Sequence, residues 1–316
     1  MKRGTLALSL SLALGAALVG VWGSEYTLLT LFTLSLNIVM ACSYNLFSGY
    51  SGMINLGHGL FFGVGGYACA ILTIAGYPRF VCVPAAGLAA MAAAALIGPF
   101  ALPLSRASFS MVTLGIVFIF ERAAGNLEQW TGGAAGLSVF PGIDAAWAAS
   151  LMGALALLTT LGNIVMKTSK MGYGLIALRE HEQTALLSGC DAFGLPYAAL
   201  LLSAPAAGLA GALAVLHMAY ISPSSALSLE LTLAPVVMVM VGGPGTFWGP
   251  VVGAAALTLW QEALWIWVDR FPLAIYGATL LAVGVFLPRG LAGMRFPAFS
   301  YFRRFRKSVP LRRKTR

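Results

Sequence analysis

The amino-acid sequence predicts an all-α, polytopic membrane bundle of about eight to ten transmembrane helices, with glycine-rich broken or re-entrant segments. Two observations predict it. Of 316 residues only 19 are basic and 10 acidic, 9% charged, where a soluble protein carries about 25%. Apolar types make up 59% and the mean hydropathy is +0.87. So few charges cannot cover a soluble exterior, and so much apolar surface is incompatible with disorder.

The elements follow from the apolar runs, since a bilayer core of about 30 Å needs about 20 residues of helix. The first run, 6–22, follows Met1-Lys2-Arg3. It continues through Val19, Val21 and Trp22 without a small-residue cleavage site, so it reads as a retained signal anchor. Further spans are expected at 27–47, 60–77, 80–104, 109–125, 147–166, 197–220, 250–268 and 272–288. The run 231–241 contains Pro235 and reaches only about 17 Å as a helix. It reads as a broken or re-entrant element leading into Gly242-Gly243-Pro244-Gly245.

Charge asymmetry sets the direction. With a cytoplasmic N-terminus and every run counted as a crossing, only Arg79, Arg122 and Arg270 of the 19 basic residues fall outside. Glu25, Glu121, Glu128, Asp144, Glu230 and Asp269 lean outward. Both termini are therefore expected in the cytoplasm. Residues 1–300 form the membrane domain and 301–316 a basic tail, whose charges suit a stop-transfer signal meeting anionic lipid rather than nucleic acid.

Catalytic and cofactor signatures are absent. There is no nucleotide-binding G-x-x-x-x-G-K-[ST], no H-E-x-x-H and no nucleophile elbow around Ser51. Cys42, Cys69, Cys82 and Cys190 form no CxxC pair, and His58, His181 and His217 lie far apart, so neither a disulfide framework nor a metal is expected. The chain reads as a passage or an assembly partner, not an enzyme.

Three regions stand out. Between Asn45 and Tyr67 the glycines Gly49, Gly52, Gly57, Gly59, Gly63, Gly65 and Gly66 would weaken an isolated helix. In a membrane they allow close packing, as at Gly59 and Gly63, or unwound backbone. Asn55 and His58 share a face if the segment is helical, and either line a polar path or hold helices together. In the second region Gly245, Gly249 and Gly253 make one smooth face once a helix starts. Pro250 suits its first turn, and Gly242 and Gly243 open the region. Packing is the favoured reading there, over a backbone ligand for substrate. The third is the polar loop 167–196, with Arg179, Glu180, Glu182, Ala185 and Gly189 on one short amphipathic helix ending at a glycine. Glu262, the one acid well inside a span, either serves an intramembrane site or bonds a neighbouring helix near the outer interface.

Taken in order, NLFSGYSGMINLGHGLFFGVGGY, ALREHEQTALLSGCDAFGLPYAALLLSAPAAGLAGAL and GGPGTFWGPVVGA resemble the signatures of branched-chain amino-acid ABC transporter permeases, the M-type subunit of Liv-like systems. The resemblance spans roughly residues 30–290. It implies a second homologous permease, two cytoplasmic ABC ATPase subunits, a periplasmic substrate-binding protein, and no cofactor on this chain. It makes Arg179 through Gly189 the segment that docks on the ATPase. Tyr173 and Ile176 stand where the family usually has more basic residues, and Gln183 to Ser188 replace an alanine-rich turn. Urea or short-amide permeases look alike at these motifs. An ion-coupled secondary transporter would rest on Glu262 and the 231–249 break, and a non-transporting scaffold would leave the polar loop unexplained. A charged residue at Ala185 is expected to uncouple uptake from ATP.

Overall fold

In this computed structural model residues 25–140 and 142–265 are described, 263–265 by backbone alone. The expected spans 6–22 and 272–288 and the basic tail lie outside them. The described chain runs α1 (Glu25–Tyr44), continued by one π-helical turn (Asn45–Gly49), α2 (His58–Ile74), α3 (Arg79–Ala101), α4 (Arg106–Asn126) and α5 (Glu128–Thr131). Then come β1 (Leu137–Ser138), α6 (Ala145–Thr168), α7 (Lys170–Glu180), α8 (Glu182–Leu187), α9 (Gly194–Met218) and β2 (Tyr220–Ile221). The last elements are α10 (Pro223–Ala226), α11 (Leu229–Gly242) and α12 (Gly249–Trp265). Among the described residues six helical segments are long and apolar enough to cross a membrane. The chain is a multi-pass, all-α membrane protein.

Two sets of loops gather at opposite ends. At one end Arg106 donates to the carbonyl of Leu178, 3.1 Å. There too Arg179 donates to the carbonyl of Gly49, 2.8 Å, and Ser110 to that of Ile54, 2.7 Å. At the other, β1 pairs antiparallel with β2, Leu137 opposite Ile221, and Arg79 donates to the carbonyl of Gly142, 3.2 Å. Each long helix therefore runs from one end to the other, and successive helices alternate.

This alternation corrects the expectation for 231–241. The run belongs to α11, which starts beside the β1–β2 end and reaches Gly242 at the opposite one. Together with α10 it forms a segment, Pro223–Gly242, long and apolar enough to cross. The short turn before it, capped by a reciprocal Ser222–Ser225 box, supplies the missing length. Pro235 sits inside the continuous helix, as membrane helices permit.

Helix α9 is the hub, with 78% of its most apolar window buried inside the protein against 22% for α4. It packs mainly on α2 and α3, while α1 packs on α6. The reason is small side chains. A Cβ on Gly208 would lie 2.8 Å from the carbonyl oxygen of Ala86. One on Gly211 would lie 3.1 Å from the amide nitrogen of Gly66. Without a hydrophobic drive between helices in lipid, such backbone-to-backbone approach supplies van der Waals attraction. Replacing Gly208 or Gly211 with leucine should cost at least about 1–3 kcal/mol through overpacking. The expected readout is a lower unfolding midpoint in detergent, with no change for leucine at Gly115, which faces open space.

Candidate functional site

The loop end named above gathers most of the residues singled out in the sequence. Its exposed feature is the α7–α8 pair. Ser169 caps α7 by accepting the Gly172 N–H, 3.0 Å, and Leu175 and Leu178 bury it against the bundle. His181 adopts φ −147°, ψ 89°, so the chain turns between Glu180 and Glu182. The amphipathic helix expected across Arg179–Gly189 is thus two helices, and Arg179 and Glu182 do not share a face.

Helix α8 is closed by a Schellman motif. Gly189 N–H donates to Leu186 and Cys190 N–H to Ala185, both at 3.0 Å. Gly189 takes the left-handed conformation this requires, φ +82°. Glu182 and Gln183 are exposed and Leu187 is 91% exposed, whereas Ala185 is only 4% exposed. Ala185 therefore faces the bundle, and a charge there would disturb the fold before it met any partner. Just beyond, Asp191 lies three residues before α9. The Gly194 and then the Phe193 backbone N–H hold its carboxyl below the usual carboxylate range, and they stay paired only while the pH remains above that lowered value.

Behind α7 lies a polar knot. The Asn45 amide donates to Asn163 Oδ1, 2.7 Å, and to the carbonyl of Thr246, 3.0 Å. Its oxygen accepts the Gly245 N–H, 3.0 Å. Asn163 in turn donates to the carbonyls of Cys42, 2.9 Å, and Thr159, 3.0 Å, while its own carbonyl accepts the Tyr50 hydroxyl, 3.0 Å. Both amides are fully buried and both use their full set of side-chain N–H donors. Three elements (the π-helical end of α1, α6 and the α11–α12 turn) are thereby locked together.

Gly245 is consequently a turn residue, φ +73°, and not on the α12 face as the spacing suggested. Gly249 and Gly253 do lie in α12, and Gly253 packs against the backbone of Gly242 and Met238. Gly243 ends α11 at φ 110°. Pro250 falls in the first turn of α12, as expected.

Asn55 and His58 do not share a helix face either. Asn55 lies in the unwound stretch before α2 and accepts the Gly57 N–H, 2.8 Å. His58 opens α2, and its Nε2 lies 2.8 Å from Ser43 Oγ. Asn55 Nδ2, His58 Nδ1 and Thr232 Oγ1 are left without protein partners. Gly59 and Gly63 abut Thr232 and Leu227, close packing being one of the two uses the sequence left open for these glycines.

Glu262 accepts the Tyr26 hydroxyl of α1, 3.0 Å, at the opposite end of the bundle, and the break expected over 231–249 is confined to residues 243–248 between α11 and α12. Asn163 escaped the sequence reading, although a lone amide within the 147–166 span was a usable signal. Among the described residues no cluster of three or more His, Cys, Asp or Glu is placed to hold a metal.

The described residues thus form a multi-pass bundle with a short, exposed helix at one loop end. Residues 26–284 match the family described as branched-chain amino acid transport system / permease component, and the chain belongs to it. It is 26% identical over 292 residues to the high-affinity branched-chain amino acid transport system permease protein LivM of Escherichia coli K12, covering 82% of this chain and 68% of that one. The LivM protein of Salmonella typhimurium LT2 matches to the same extent. No solved structure matches the chain significantly.

Cutting Asn163 to alanine strands buried polar groups on Asn45, and should destabilise the bundle by about 1–3 kcal/mol. The double variant Asn45→Ala/Asn163→Ala should cost less than the sum of the two single ones. Unfolding midpoints in detergent measure both.

Proposed function

We propose that the chain is the membrane-spanning subunit of an ATP-driven importer of branched-chain or related amino acids, and that α8 is its docking element for a cytoplasmic ATPase. The observation that carries this is the exposed, doubly terminated α8 on the loop end, outside every span. Leu187 has no reason to face water there, and an apolar knob with Glu180 and Glu182 beside it suits a groove on a soluble partner. The chain has no nucleotide motif of its own, so the ATP chemistry belongs to that partner. Membership of the permease family supports the same division of labour.

The remaining subunits follow from the function. Two ATPases need two docking helices, hence a second homologous permease, and a periplasmic binding protein delivers the substrate. Specificity then rests chiefly on that binding protein. The α7–α8 end faces the cytoplasm, in keeping with Arg106, Lys167, Lys170 and Arg179 on that side, and both termini lie there too. Substrate shifts the inward- and outward-open populations only through contacts that differ between them.

Cys190 beside α8 is partly exposed. A membrane-impermeant maleimide is expected to label it in inside-out vesicles and not in intact spheroplasts. Leu187→Glu should leave insertion intact while lowering ATP-driven leucine uptake by at least about tenfold, the loss of one interface anchor. The check is uptake together with ATPase co-purification from mild detergent. Uptake of urea in place of leucine would move the substrate to short amides. A complex free of any ATPase would remove α8 from the mechanism.

A further inference from the structure

Arg179 sits two residues before the hinge at His181, yet its side chain turns away from α8. Its Nη1 donates to the carbonyl of Gly49, 2.8 Å. The nearby N–H groups are already used. Gly52 donates to the Ser48 carbonyl, 3.0 Å, Met53 to Ser51 Oγ, 3.2 Å, and Asn55 to Ser48 Oγ, 3.3 Å. Gly49 is thus one of the orphan carbonyls at a helix C-terminus, where the backbone dipole attracts a cation.

The arginine also fills space left by glycines. A Cβ on Gly52 would lie 2.7 Å from Arg179 Cγ, and one on Gly245 would lie 3.0 Å from its Nη1. The side chain is seated between the unwound segment after α1 and the α11–α12 turn. A second strand of contacts closes the circuit. Arg106, at the start of α4, donates to the carbonyls of Leu178, 3.1 Å, and Arg179, 3.4 Å. One turn on, Ser110 donates to the carbonyl of Ile54, 2.7 Å, and Thr113 accepts the Leu56 N–H, 3.2 Å. The last turn of α7 therefore grips both ends of the unwound segment, directly through Arg179 and by way of α4 through Arg106.

Resting on the function proposed above, we infer that Arg179 is a positioning residue that carries movement of α8 to the unwound segment 52–57 and so to α1. It is a strut, not a docking contact. A π-helical turn, one residue wider than its α neighbour and common at functional sites, lies where the strut pushes.

The test uses the whole complex in nanodiscs, with Cys190→Ser and spin labels introduced at Gln183→Cys or Ile54→Cys, each paired with Tyr77→Cys at the far end. With Arg179 present, ATP is expected to shift both distances. In Arg179→Met the Gln183 shift persists and the Ile54 shift is lost. The ATP hydrolysed per leucine imported then rises about tenfold, the scale of a lost charge-assisted hydrogen bond. Arg179→Gln, which keeps an N–H donor, gives an intermediate ratio and stands in if the methionine variant does not assemble. An unchanged Ile54 shift and transport ratio in either variant overturns the inference. So does loss of the ATPase from the complex, which would make Arg179 a docking residue. If the unmutated complex hydrolyses ATP without importing leucine, the substrate assignment fails, and the distance shifts still judge Arg179.

Discussion

The amide pair of Asn45 and Asn163 is the contact on which the loop end depends. In lipid an unpaired polar group costs several kcal/mol, about as much as a small domain can spare. Two asparagines buried in a membrane bundle are tolerable only when both are saturated. Here the saturation is mutual: each supplies what the other lacks, and the surplus bonds reach Gly245, Thr246, Cys42 and Thr159. The knot fixes three chain segments without a charge, and Arg179 is laid across it.

A second constraint acts at the middle of the bundle. Helix α9 meets α2 and α3 at Gly208 and Gly211, where main chains approach each other closely. Such a surface is stiff, because there are few rotamers to adjust. The contrast with the loop end is functional. Rigid packing holds the spans, while the chain from Gly52 to Gly57 is irregular and held by side chains at discrete points.

Much of this was legible in the sequence. Apolar runs located the described helices, because span length is set by the bilayer and not by partners. Gly59 and Gly63, and Gly249 and Gly253, are spaced by four in the sequence, and a Cβ at each would press on a neighbour. What escaped depended on pairs distant in sequence. Nothing near Gly245 announces that Asn45 accepts its N–H, and nothing near Arg179 points to the Gly49 carbonyl. The hinge at His181 hid inside a periodic pattern that also fits a continuous helix, and so turned Ala185 inward against expectation. Pro235 marked a break that the longer segment from Pro223 makes unnecessary, since neighbouring helices in a bundle absorb a missing N–H.

The backbone contacts of α9 also bear on how such sequences drift. Where two helices meet at their main chains, the requirement falls on a few positions that must lack a side chain. The positions facing lipid need only remain apolar, and leucine, valine, phenylalanine and methionine exchange there at little cost. Most of the chain is thus free to change its letters while the architecture stays fixed. A relative at 26% identity over 292 residues is what a fold specified by close approach, rather than by interlocking large side chains, allows.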